Sequence, residues 1–321
     1  MSTRAGAAYE VQEVSFLSDG VKVAAELWVP AGAGGPRAGI VVGHGTSMVK
    51  EALVGPARHL CEAGLVVLSI DYRSFGLSDG EPRRAMFPRR EVDDFRSAIS
   101  YLRRRPEVDA ERIGIWGVSF AGGVVLHTAA LDRRVKAVVA QSPTVDGRRW
   151  IRELRSGFAW EQLLTALEED RERRDAGEEG ARVPYASPEG MAVIPVMLPP
   201  GFAPDPADPN PVRNPGQMET WDPMLLLESI ERIIDFNPTD VIDMIAPRPL
   251  LIVTNSGHDE VHLLTHVQDA YKRAGEPKEM VLLDYDSFGL YEGEGLAEAM
   301  GIAAAFFHRH LNGAAPEIGA R

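Results

Sequence analysis

Cysteine is almost absent from this chain: Cys61 is the single one in 321 residues. A lone thiol excludes an internal disulfide and leaves no second sulfur for a Cys-based zinc site. In its apolar, helical surroundings it reads as a small buried side chain. Cations are also in deficit, 34 Lys+Arg against 47 Asp+Glu, for a net charge of −13. Nucleic acid and anionic membranes both recruit a basic face, so neither is an expected partner. No apolar run approaches the roughly 20 residues that span a bilayer. The opening MSTRAGAAYEVQEV lacks the apolar stretch of a secretory leader, and a cytoplasmic protein is expected. No G-x-x-x-x-G-K-[ST] loop occurs and no G-x-G-x-x-G follows the first strand, so no cofactor is expected. The pairs His258/His262 and His262/His266 have helical i, i+4 spacing, but such an isolated pair more often faces solvent than holds a metal, and no metal is expected. A small-molecule substrate is the expected partner, and the oligomeric state is not legible.

What is present is an ordinary globular balance, 45% hydrophobic and 25% charged residues, enough to bury a full core. Two alternating stretches, EVSFLSDG and VKVAAELWVP, meet at Asp19-Gly20, a hairpin signal. Strands and helices then alternate. AGIVVGHG, LVVLSID, RIGIWGVS and RVKAVVAQSP read as strands, and residues 50–63, 90–104 and 120–131 as helices. Further on, RPLLIVTNS and KEMVLLDYD are strands flanking a helix over 262–273, and a last helix covers 295–311. Repeated β–α units after a hairpin imply an α/β fold: a mostly parallel central sheet with helices on both faces. Residues 144–245 break the alternation. They contain helical pieces, WEQLLTALEEDRERRDAG and WDPMLLLESIERIIDF, and between these residues 183–216 hold ten of the 23 prolines. We expect a core formed by 1–143 and 246–321, with 144–245 as a large lid insertion over the C-terminal edge of the sheet.

The strongest motif is IGIWGVSFAGG, which sets Gly117-Val118-Ser119-Phe120-Ala121-Gly122 between a strand and a helix. That context is what a G-x-S-x-G nucleophile elbow requires, with Ala121 in place of the usual second glycine. VVGHGTSMVKE follows the neighbouring strand, with His44 read as a structural residue of its loop. On these residues the chain resembles the α/β-hydrolase family over 14–143 and 246–311. GHGTSMVKE, DYRSFGLSDGEPR, LYEGEG and FFHRHL bring it close to the bacterial dipeptidyl-peptidase-like and fungal polyketide-transferase-like branch. The resemblance implies a nucleophile at Ser119 and oxyanion donors on the backbone N–H groups of Phe120 and Thr46. It also implies an acid at Asp259, after the next-to-last strand.

The same resemblance implies a histidine after the last strand, three residues before Leu290-Tyr291, and there the sequence has Ser287. Serine is no base near neutral pH, so the triad is expected to be incomplete. Three explanations stay open: His258 or His262 swinging in from the acid loop, a substitution introduced at 287, or a site that has left hydrolysis. The last is the leading expectation: Asp259 as base on a carbon acid, with Ser119 and Ser287 donating hydrogen bonds. Carbon–carbon bond formation, cyclisation or elimination on a bulky polyketide-like intermediate would follow. A serine esterase or thioesterase with an unrecognised base, and an inactive ligand-binding relative, are the alternatives.

Overall fold

A computed structural model describes residues 3–5, 8–32, 35–188, 191–196, 220–257, 259–286 and 288–312. The first strands are β1 (Thr3–Ala5), β2 (Tyr9–Ser18) and β3 (Val21–Pro30). β2 and β3 pair antiparallel through a two-residue turn at Asp19 (φ 48°) and Gly20 (φ 81°), the left-handed pair that a tight hairpin demands. Next come β4 (Arg37–Gly43), a 3-10 turn (Lys50–Leu53), α1 (Val54–Glu62), β5 (Val66–Ile70), α2 (Pro88–Leu102), β6 (Val108–Val118), α3 (Phe120–Leu131) and β7 (Ala137–Gln141). The intervening segment supplies α4 (Gly147–Glu153), α5 (Gly157–Asp175), β8 (Arg182–Pro184), β9 (Met224–Leu226) and α6 (Glu228–Ile234). The chain returns with β10 (Leu250–Asn255), α7 (Leu264–Arg273), β11 (Lys278–Leu283) and α8 (Gly293–Leu311).

Nine strands form one sheet in the order β1-β2-β3-β5-β4-β6-β7-β10-β11, antiparallel through β3/β5 and parallel from β5 to β11. Alternation along each central strand serves two layers. Val41, Ile115, Val138 and Ile252 face a core completed by Val92, Phe95, Ile99 and Leu102 of α2 and by α3. Ile40, Val42, Trp116, Val139 and Val253 face the other, completed by α1 and by Leu296, Met300, Phe307 and Leu311 of α8. These are the stripes that the helical periodicity marks in the sequence. Burial of each such side chain contributes roughly 1.5–3 kcal/mol, which makes the parallel strands a rigid base for whatever stands at their C-terminal ends.

Two expectations need correction. The stretch WDPMLLLESIERIIDF is not one helix: Met224–Leu226 pairs antiparallel with Arg182–Pro184, and only then does α6 begin. The helix expected from residue 262 begins at Leu264, with Leu263 extended before it. His262 therefore sits in the loop after β10 and not on a helix face. Among the described residues no helix is long and apolar enough to cross a membrane, and no group of His, Cys, Asp and Glu is arranged to hold a metal ion. Most of the proline-rich 183–216 stretch, and so most of the expected lid's middle, lies outside the described residues.

Candidate active site

β6 runs directly into Ser119, whose backbone stands at φ 56°, ψ −122°, and α3 starts at the next residue. A non-glycine residue held there costs about 1–3 kcal/mol and persists only where its surroundings enforce it. Here they do. The Ser119 N–H donates to the Gln141 carbonyl at 2.9 Å, and the Ser119 carbonyl accepts from Gly122 and Thr144 at 2.9 and 3.0 Å. The glycines of the motif are matters of space: a Cβ on Gly117 would stand 2.3 Å from the Ala121 carbonyl oxygen, and one on Gly123 2.1 Å from that of Thr144. Ala121 is accommodated in place of the usual glycine and is fully buried. Gly117→Ala is expected to destabilise the fold by about 1–3 kcal/mol through overpacking, seen as a lowered thermal midpoint.

The loop after β4 lies against the elbow, so close that a Cβ on Gly45 would come within 3.0 Å of the Ser119 Cβ. His44 anchors this loop: its Nδ1 bonds the Gly45 carbonyl at 3.1 Å and its ring meets Tyr72 edge-on at 4.5 Å. Burial, offset in part by that carbonyl and reinforced by the Arg84 charge, pushes its pKa down to about 3, so it stays neutral and structural. Thr46 is buried beside it. Ser47 is strapped from the far side, its carbonyl accepting from Arg84 Nη2 at 2.9 Å and from Trp221 Nε1 at 2.8 Å. Arg84 also reaches the Asp222 carbonyl, which links this loop to the intervening segment. Below, the buried Asp71 carboxylate takes the Lys50 N–H at 2.7 Å and the Lys50 ammonium at 3.0 Å.

The acid loop gives the largest departure from expectation. Asp259 Oδ1 accepts the backbone N–H groups of Val261 and His262, each at 2.7 Å. That turn leaves Oδ2 facing His262 Nδ1 at 3.2 Å, and the other ring nitrogen, Nε2, lies 2.8 Å from Ser119 Oγ. The expectation that no imidazole reaches Ser119 is thereby corrected. The reason is local: His262 precedes α7, so its ring is free to fold back over the carboxylate three residues earlier. Burial alone would raise the Asp259 carboxyl. The hydrogen bond and charge of His262 and the two amides outweigh that effect and hold it below the ordinary carboxylate range. α4 fixes the loop from outside through Trp150 Nε1, which donates to the Val261 carbonyl at 2.8 Å, and through Glu153, 2.7 Å from His266 Nε2.

The loop after β11 also reaches the site, through a residue the sequence reading passed over. The Tyr291 hydroxyl lies 3.3 Å from His262 Nε2, the nitrogen that stands 2.8 Å from Ser119 Oγ. Its position in the Leu290-Tyr291 pair was the available signal. Ser287, expected as a hydrogen-bond donor, and His258 lie outside the described residues. Phe120 provides the first amide of α3, next to Ser119, and its ring packs on Trp150 and Phe236.

Known proteins share this architecture. The polyketide transferase claH of Penicillium crustosum is 28% identical over 94% of this chain and 98% of its own. The thiohydrolase aneE of Aspergillus aculeatus is 35% identical, but over only 42% of each chain. The uncharacterized protein PA2218 of Pseudomonas aeruginosa is 30% identical over 85% of this chain and 74% of its own. The crystal structure of PA2218 superposes with a TM-score of 0.80 over 95% of both chains. Residues 19–189, more than half of the sequence and the part that carries the loop after β4 and the turn at Ser119, match the X-Pro dipeptidyl-peptidase (S15) family, and the chain belongs to that family, with the α/β-hydrolase fold.

Proposed function

We propose that this protein is a serine acyl-enzyme hydrolase or acyltransferase, in which Ser119, His262 and Asp259 act as nucleophile, base and orienting acid. The observation that carries the reading is the unbroken line Ser119 Oγ, His262 Nε2, His262 Nδ1, Asp259 Oδ2, at 2.8 and 3.2 Å. In this arrangement the imidazole takes the serine proton during attack and returns it to the departing group. The N–H groups of Phe120 and Thr46 supply the oxyanion hole, as their positions beside Ser119 favour. A carbon-acid mechanism needed a bare carboxylate as base. With His262 on Asp259 that premise is lost, and the low-lying Asp259 carboxyl is a weak base besides.

The relatives point to the acyl group. Proteins named polyketide transferase and thiohydrolase favour a polyketide-type acyl chain presented as an ester or thioester. The described parts of 144–245 would roof the cleft: Trp150 and Trp221 already bind the two loops that flank Ser119. The test is acylation of Ser119. A fluorophosphonate is expected to label Ser119, and a p-nitrophenyl ester to give a burst with the acyl group on that residue by mass spectrometry. Ser119→Ala is expected to abolish both. Undiminished turnover in that variant would defeat the assignment.

A further inference from the structure

Resting on the acyl-enzyme reading, we infer that Tyr291 is a catalytic residue that donates a hydrogen bond to the group leaving Ser119's substrate. When Ser119 Oγ bonds to the acyl carbon, its proton passes to His262 Nε2. When the tetrahedral intermediate collapses, the C–X bond breaks with its electron pair on X, and the proton on Nε2 passes to X. X must therefore lie within hydrogen-bond reach of both Nε2 and the space beside Oγ. The Tyr291 hydroxyl stands at that place, 3.3 Å from the same Nε2 that lies 2.8 Å from Ser119 Oγ. As X enters, the phenol exchanges its contact with Nε2 for one with X. Tyr291 keeps its own proton throughout, so the proton count of the reaction is unchanged.

The phenol is held ready for this role. Burial and the nearby Asp259 charge, against the opposing bond with Ser119, keep Tyr291 far above the ordinary phenol range, so it remains a donor whenever the enzyme works. The Leu290 carbonyl accepts from the buried Gln141 Nε2 at 2.7 Å, and the Gln141 carbonyl in turn holds the Ser119 N–H. One residue thus ties the nucleophile and the Tyr291 loop to the same point of β7. The His262 and Tyr291 rings face each other at an inclination of 28°, centroids 6.2 Å apart.

The experiment uses the full chain and a series of aryl hexanoates running from p-nitrophenyl to p-methoxyphenyl. The p-nitrophenolate departs with little help, whereas the more basic phenolates need a donor. Tyr291→Phe is expected to lose kcat/KM progressively along the series, reaching about 10² for p-methoxyphenyl hexanoate, the scale of one donor to a developing oxyanion. The dependence on leaving-group basicity becomes steeper. A misfolded fraction lowers every substrate by the same factor, so the slope is insensitive to it. An unchanged slope overturns the inference while leaving the acyl-enzyme reading intact. Failure of the wild-type protein to acylate Ser119 with any member of the series removes both.

Discussion

Replacing His262 with glutamine is expected to lower turnover by about 10⁶ and to stop fluorophosphonate labelling of Ser119. Glutamine retains polar atoms near the ring positions but has no group that titrates in the working range, so the serine hydroxyl keeps its proton. The magnitude follows from how such residues act together: without the base, the nucleophile and the acid have nothing to relay. His262 is the decisive position because the sequence offers a competing view. If Asp259 were itself the working base, as the carbon-acid scheme has it, His262→Gln would cost at most the packing of one ring. A loss of tenfold or less, with labelling intact, would refute the role given to His262. The fold should survive the change, since the loop is held independently by the two amides on Asp259 Oδ1 and by Trp150 on the Val261 carbonyl.

Why the sequence concealed this residue is a question of chain geometry. The elbow was legible because it is local: strand, Gly117, Ser119 and helix are contiguous, and the closest approach at Gly117 is to Ala121, four residues on. The sheet was legible because its central strands are near-continuous apolar runs and because α2 and α8 each carry an apolar stripe. His262 carried no such mark. At i, i+4 from His266 it reads as the first turn of a helix, in an isolated pair of the kind that more often faces solvent. The structure starts that helix two residues later, because the Asp259 carboxylate captures the N–H groups of Val261 and His262 in a turn of its own. An aspartate that caps a helix and an aspartate that orients a base three residues on share the same D-x-x-H spelling. The short β8/β9 pair was hidden for another reason: Met224–Leu226 finds its partner some forty residues upstream, beyond the reach of any periodicity.

Asp259→Asn carries the second large effect, a fall of about 10⁴ in turnover with the fold preserved. An asparagine carbonyl oxygen can still accept the Val261 and His262 amides, so the turn persists. What changes is the atom facing the ring, now an NH₂ donor where a carboxylate oxygen stood. His262 Nδ1 must then accept, its proton moves to Nε2, and Nε2 presents a donor to Ser119 Oγ where the reaction needs an acceptor. The distances survive while the direction of the proton is reversed. Charge is lost as well, since the carboxylate that stabilises the imidazolium is ionised through the whole working range. The two effects are not independent, and the double variant with His262→Gln should be no slower than His262→Gln alone. A further 10⁴ loss in the double variant would mean that Asp259 acts on the substrate directly, as the carbon-acid scheme required, and not through the imidazole.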